Sequence, residues 1–215
     1  LQDCWAFPPQ GDEQALYLFS EGRNHAAWKL LGALPVYRDG HAGVCFRVWA
    51  PNAQRVSVVG DFNRWDGLAN PMASLGASGV WELFIPSLRA GSLYRFEIRN
   101  RHSGDVFVKI DPYGREFELR PSTAARVCSV SEYRWRDANW LESRARLDWQ
   151  HAPMSVYEVH LGSWKRAEHG GRTMTYREMA ATLVPYVRDL GFTHIELLPV
   201  MEHPFTGSWG YQGIG

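Results

Sequence analysis

The last part of the chain holds the residues whose types and spacing best suit chemistry on a ligand. A segment at 202–212 directly follows an apolar strand, and its polar and aromatic side chains are those of His203, Trp209, Tyr211 and Gln212. In α/β folds, loops at the carboxyl ends of parallel strands build the active site. Gly207 and Gly210 allow the backbone to approach a ligand closely. Two aromatic rings within three residues suit the C–H face of a sugar, although packing on neighbouring elements explains the rings equally well.

Carboxylates near this segment offer a second kind of chemistry. Glu158 and His160 lie in the apolar strand 155–161, and Glu196 and Glu202 lie in and after the strand near 195–198. Two of these carboxylates could act as the acid and base of a glycoside hydrolase. We favour structural hydrogen bonding for them, because the sequence places no two of them at a known separation.

A third candidate lies in the first half of the chain, in the turn at 60–66. Here Trp65 could stack on a sugar ring while Asn63 hydrogen-bonds a hydroxyl group. The alternative, which the pattern slightly favours, is that Trp65 packs against Phe62 and a neighbouring sheet.

The elements that position the 202–212 segment form a strand, helix and strand. Apolar residues recur at helical spacing from Tyr176 to Leu190, Thr175 and Glu178 form a capping box, and Gly191 ends the helix. Pro185 removes one backbone hydrogen bond and predicts a bend. A strand–helix–strand unit of this length predicts two neighbouring parallel strands.

The preceding region alternates between apolar and polar residues instead. Five or more short alternating runs between about 43 and 110, separated by turn residues, predict an antiparallel β-sandwich. A short helix is predicted at 24–31, since Asn24 can cap it and Gly32 can end it. Another is predicted at about 140–146.

Bulk composition narrows the classes of function. The 215 residues carry 23 basic and 23 acidic side chains, a balance that weighs against a nucleic-acid or acidic-membrane partner. Three cysteines, far apart and without a C-x-x-C pair, argue against a zinc site or disulfide framework and favour a reducing, cytoplasmic location. No membrane span, signal peptide, metal motif or cofactor motif is found, and protein partners are not predicted.

Several strings resemble a known family. The second half contains YEVHLGSW at 157–164, GFTHIELLPV at 191–200, EHPF at 202–205 and GSWGYQ at 207–212, and these resemble the 1,4-α-glucan (glycogen) branching enzymes of glycoside hydrolase family 13. The first half contains FRVWAPNA at 46–53, VSVVGDFN at 56–63 and GVWELFIP at 79–86, and these resemble the family-48 carbohydrate-binding module.

The resemblance implies a multidomain chain. Residues 1–33 would be a linker or the remnant of a preceding module, and 34–127 an immunoglobulin-like sandwich. A connector would occupy 128–153, and 154–215 would begin a catalytic (β/α)₈ barrel. The sequence would therefore be the N-terminal piece of a larger enzyme.

The chemistry that the resemblance implies is a retaining transglycosylation. An α-1,4-glucan would be cleaved and the segment passed to a 6-hydroxyl group, giving an α-1,6 branch. The nucleophile and the acid/base would follow later barrel strands, beyond residue 215, so these 215 residues are expected to be inactive alone. Tyr211 would stack on the sugar at the cleavage point. The alternatives are a trehalose-releasing hydrolase, a debranching enzyme, or a module that only binds glycan or only packs on a barrel.

Overall fold

The computed structural model describes residues 4–129, 133–167, 171–205 and 207–214. These residues divide into two compact units. The first unit lies within 1–131, 202–208 and 212–215, and the second lies within 132–201 and 209–211.

Two antiparallel sheets make up most of the first unit. One has the strand order β1-β2-β5-β4 and contains β1 (Gly32–Arg38), β2 (His41–Trp49), β4 (Ala73–Ser74) and β5 (Val80–Pro86). The other has the order β3-β6-β7 and contains β3 (Ala53–Gly60), β6 (Leu93–Asn100), β7 (Val106–Lys109) and β8 (Ala125–Arg126), the last of which also pairs with β6. The predicted antiparallel sandwich is confirmed, and its first strand begins at Gly32.

The core of the sandwich follows from the alternation in its strands. Phe46 in the first sheet meets Tyr94 in the second, with ring centroids 5.0 Å apart. Around them pack the buried inward residues of both sheets, among them Val44, Val48, Val56, Val58, Ile85 and Phe96. Each such side chain contributes about 1.5–3 kcal/mol through removal from water. The hydroxyl of Tyr94 remains satisfied in this core because it donates to Asp111 Oδ2 at 2.6 Å.

A charged cluster lies on the opposite face of the first sheet. The side chain of Glu82 is fully buried and accepts from Arg38 Nη2 at 2.8 Å and from Arg47 Nε at 2.7 Å. The backbone N–H of Gln10 also donates to it at 2.8 Å. Burial alone would raise the pKa of Glu82, but the hydrogen bonds from Gln10, Arg47 and Arg38 lower it overall.

Residues 1–33, predicted to be a linker or the remnant of a preceding module, contain a helix that packs within the first unit. Helix α1 (Glu13–Ser20) is capped by Asp12, whose side chain accepts from the Ala15 N–H at 2.9 Å. Its apolar side chains pack with the buried Leu30, Leu31 and Val80. The cluster and the Gln10 contact show that this segment covers the outer face of the first sheet.

The predicted helix at 24–31 is wrong. Only one 3₁₀ turn forms there, Ala27–Lys29. The side chain of Asn24 bonds the Ala26 N–H at 3.0 Å and the Ala15 carbonyl at 3.1 Å, so it closes a local turn instead of capping a helix. A run this short gains too few backbone bonds to stand alone as an α-helix.

The second unit contains the predicted strand–helix–strand. Strands β9 (Val156–Val159) and β10 (His194–Leu197) pair in parallel, and helix α4 (Tyr176–Asp189) connects them. The capping box of Thr175 and Glu178 is confirmed, as is Pro185 within the helix. A small core forms where Val159, Leu183 and Val187 meet.

Two shorter helices complete this unit. Helix α2 (Ala138–Arg146) contains the predicted helix at about 140–146. Helix α3 (Leu161–Trp164) was not predicted, and it begins directly after β9. Within the ranges that the structure covers, no helix has the length and apolar character needed to cross a membrane.

Candidate functional site

The loop that follows β3 presents Trp65 in an unusual backbone conformation. Arg64 and Trp65 both have positive φ angles, 57° and 61°, a region that side chains other than glycine rarely occupy. Trp65 is 42% exposed, so it is not fully covered by the packing against Phe62 and the sheet that the sequence slightly favoured. Backbone strain of this kind collects at binding sites, where the surrounding structure holds it in place.

Asn63 supplies much of that support. Its Oδ1 accepts from the Gly60 N–H at 2.9 Å, and its Nδ2 donates to the Val58 carbonyl and to Asn70 Oδ1, both at 2.8 Å. Both donor hydrogens of the amide are therefore used inside the protein. Asn63 positions the Trp65 loop, and any bond to a ligand hydroxyl would have to use the second lone pair of Oδ1.

Gly60 is required at the start of this loop because of close packing. A Cβ atom at this position would lie 2.1 Å from the Leu93 carbonyl oxygen and 2.5 Å from the Phe62 ring. The absent side chain lets the loop begin directly against β6, and the Trp65 N–H then donates to the Gly60 carbonyl at 2.9 Å.

The second candidate surface is the segment after β10. The rings of Trp209 and Tyr211 are 80% and 66% exposed, and Gln212 is exposed as well. Between the two rings, Gly210 is buried with a φ angle of 83°, a conformation that favours glycine. Both aromatic side chains of the predicted stacking surface are therefore open to solvent, and their contact with a sugar stays a prediction.

His203 differs from these residues because its side chain is half-buried and engaged. Arg120 Nη1 donates to His203 Nε2, and Arg120 Nε lies 3.6 Å from Glu202 Oε1. The sequence predicted His203 as a substrate contact, but the structure gives its ring nitrogen a contact with the protein. Arg120 was missed because no local pattern connects it to residues 83 positions later.

The carboxylates considered in the sequence do come together in part. Glu158 and Glu196 are direct partners across the parallel β9–β10 pair, and both are exposed. His160 contacts Ser163, with Nδ1 and Oγ 2.9 Å apart at the start of α3. No group of His, Cys, Asp or Glu within the described residues is arranged to hold a metal ion.

The arrangement as a whole offers aromatic rings and hydrogen-bonding groups rather than reactive ones. Trp65, Trp209 and Tyr211 can contact the faces of sugar rings, since each is exposed on a loop. Each of these loops contains residues with positive φ angles, Arg64 and Trp65 in one and Gly210 in the other.

The region that contains the Trp65 loop matches a known family of domains. Residues 30–114 match the family model of carbohydrate-binding module 48, described as the isoamylase N-terminal domain. This range contains β1 to β7 and the Trp65 loop.

Curated relatives match the whole chain. The 1,4-alpha-glucan branching enzyme GlgB of Nitrosospira multiformis is 57% identical over 215 residues, which are 100% of this chain and 29% of that protein. GlgB of Thiobacillus denitrificans shows the same identity and coverage. The chain thus spans less than a third of the length of the curated relatives it matches.

Among solved structures, a Klebsiella pneumoniae pullulanase complexed with maltotriose is similar. The two share 28% identity with a TM-score of 0.56, over 83% of this chain and 18% of the pullulanase. A pullulanase from Bacillus acidopullulyticus, 19% identical over 85% of this chain and 24% of that one, has a TM-score of 0.56 and supports the fold alone.

Proposed function

We propose that this chain, with its family-48 carbohydrate-binding domain at residues 30–114, is part of a 1,4-α-glucan branching enzyme. The observation that carries the proposal is the 57% identity over all 215 residues to two such enzymes. The substrate would be an α-glucan such as glycogen or amylose. The parallel β9–α4–β10 unit would be the opening of a (β/α)₈ barrel.

Within such an enzyme these residues would bind and orient the glucan. Tyr211 would stack on the sugar ring at the cleavage point, which is the role that the family resemblance implies for it, and its side chain is exposed in the segment that follows β10. Trp209 and Gln212 would extend this contact. The cleavage and transfer steps of a retaining mechanism need a nucleophile and an acid/base. Neither role is assigned to a residue of these 215, so we expect them to be inactive when tested alone.

The sandwich would supply a second contact for glucan. Trp65 is the residue proposed to stack there, supported by its exposure and by its restrained backbone. Asn63 would act mainly by holding the loop.

A second candidate is a glycan-binding or structural module of another family-13 enzyme, such as a debranching enzyme. The similarity to pullulanase structures favours it. The relatives named as branching enzymes are twice as similar in sequence, at 57% against 28%, and therefore favour branching.

A chimera tests the proposed activity. The 215 residues would replace the matching part of the Nitrosospira multiformis enzyme, and the product would be incubated with amylose. We expect new α-1,6 linkages in the anomeric proton NMR spectrum. Free reducing sugar without new α-1,6 linkages would favour the second candidate and contradict the first.

Two substitutions refine the test of binding. Tyr211→Ala in the chimera should reduce branching strongly, because sugar–aromatic stacking is lost at the reacting site. Tyr17→Ala removes a similarly exposed aromatic side chain on α1 and serves as the control. Trp65→Ala in the 215-residue chain should weaken its retention on a glycogen affinity gel. Unchanged retention would exclude a binding role for Trp65.

A cytoplasmic location belongs to the same proposal. It is supported by the three cysteines, which are all unpaired in the structure.

A further inference from the structure

The segment that carries Tyr211 is closed at its base by a backbone hydrogen bond. The Ile214 N–H donates to the Glu202 carbonyl at 3.0 Å, so the two ends of residues 202–214 meet. Compact surface loops with adjoining ends are frequently functional. Trp209, Tyr211 and Gln212 lie between these ends, so a group that holds the base also restricts the rings.

Arg120 is placed at this base. Its Nη1 contacts His203 Nε2, and an arginine can only donate, so the imidazole nitrogen must be the acceptor. The other partner is Glu202, whose Oε1 is 3.6 Å from Arg120 Nε. One guanidinium therefore contacts two successive residues at the start of the closed loop.

Glu202 offers this base a negative charge. Its side chain is 37% exposed overall, but its Oε1 is enclosed by protein and makes no hydrogen bond among the described residues. A buried carboxylate oxygen is costly unless an opposite charge compensates it. The Arg120 guanidinium is the cation that lies within ion-pair distance of this oxygen. Arginine suits the position because its planar fork reaches two partners at once, which a lysine ammonium does not.

We propose that Arg120 is a positioning residue for the glucan site, holding the base of the 202–214 loop so that Tyr211 is presented to the sugar. The inference rests on the proposed function, since it assigns Tyr211 its ligand. Arg120 lies outside residues 30–114, so it is not part of the matched carbohydrate-binding module.

Amide exchange tests the closed base without any assay of activity. In the unsubstituted 215-residue chain, the Ile214 amide should exchange slowly with deuterium, because it is bonded to the Glu202 carbonyl. Arg120→Ala should speed this exchange at least roughly tenfold, the effect of losing one charge-assisted hydrogen bond. Arg126→Ala is the matched control, because Arg126 also pairs with a glutamate, Glu116 at 3.1 Å, and does not contact the loop residues named above. Equal exchange rates in Arg120→Ala and Arg126→Ala would overturn the proposal.

Kinetics of the chimera then separate positioning from simple support of the fold. Arg120→Ala should raise KM for amylose severalfold while the melting temperature matches that of Arg126→Ala, and Arg120→Lys should restore only part of the affinity. A chimera that makes no branches before substitution contradicts the proposed function, and the exchange experiment still decides whether Arg120 holds the loop. A chimera that branches, with KM unchanged by Arg120→Ala, contradicts the positioning role alone.

Discussion

The two units bury their strands to very different extents. In the first unit, β5 has six of its seven residues buried, because the second sheet covers one face and residues of the N-terminal segment cover the other. In the second unit, β10 has three exposed residues among four, and Leu197 remains 47% exposed. Strands of parallel sheets are normally covered on both faces. Both faces of the first sheet are thus covered within the first unit. The parallel pair of the second unit packs on α4 through a small core and leaves other apolar side chains exposed.

The largest effect on stability should come from removing the charge of Glu82 in the buried cluster on the outer face of the first sheet. Glu82→Gln would leave Arg38 and Arg47 with an uncompensated buried charge, and we expect a loss of about 3–5 kcal/mol in the free energy of unfolding. Urea unfolding measures this loss in the free energy of unfolding, and amide exchange in the sandwich strands shows that it falls on the first unit.

The control for this change is Glu97→Gln, which breaks a single and less buried pair with Arg55. It should cost clearly less than Glu82→Gln. Equal costs would mean that the buried cluster has no special role in the stability of the sandwich.

The same cluster predicts a dependence on pH. Because the pKa of Glu82 is lowered in the folded protein, its contribution to stability is full above the ordinary glutamate pKa, about 4.3, and is lost as the pH falls through the lower folded value. Asp111 acts with the opposite sign, since burial raises its pKa despite the bonds from Tyr94 and Tyr113. The stability of Glu82→Gln relative to the unsubstituted chain should therefore improve on acidification below about pH 4. A constant difference between the two would contradict the assignment.

The small core of the second unit provides the next effect. Leu183→Ala should destabilise this unit by about 2–3 kcal/mol, because Leu183 is buried between Val159 and Val187. Amide exchange within α4 should accelerate while exchange in β2 and β5 stays unchanged. Equal acceleration in both units would show that they unfold together.

A smaller effect is expected at the start of α4. Thr175→Ala removes the side-chain oxygen that accepts from the Glu178 N–H and should cost about 1 kcal/mol. Thr173→Ala, two residues earlier, is a suitable control outside the helix cap, and only Thr175→Ala should accelerate exchange in the first turn.

The smallest change in stability should accompany the removal of exposed apolar surface. Leu197 is half-exposed in β10, so Leu197→Lys should change the free energy of unfolding by no more than about 0.5 kcal/mol. We expect the exposed apolar surface of β10 to promote association between copies of the chain. The substitution should reduce this association in light scattering, because charge on an exposed strand opposes edge pairing. Unchanged scattering would show that β10 does not mediate contacts between copies.

Sequence predicted best where the signals are local. Thr175, Glu178 and Gly191 marked the limits of α4, and the alternation around Val44 and Phe46 marked the sandwich. Helix α1 was missed although Asp12 could cap it, because its apolar face is completed only by distant residues such as Val80. Asn24 was wrongly assigned to a helix cap. Its bond to the Ala15 carbonyl exists only because α1 forms, and that helix was not predicted.

The candidate site follows the same rule. The exposed aromatic rings of Trp65 and Tyr211 could be proposed from their neighbours in sequence. The positive φ angles at Arg64 and Trp65, and the bonds of Asn63 that hold them, required coordinates. The contact of Arg120 with His203 joins distant residues, which a single sequence does not reveal.

The number of α-1,6 linkages that the chimera forms on amylose tests the proposed branching function most directly. We predict that anomeric proton NMR shows new α-1,6 signals that grow with time and fall sharply in Tyr211→Ala. Amylose that is only hydrolysed would contradict the proposed branching function. Branching that Tyr211→Ala leaves unchanged would contradict the stacking role of Tyr211.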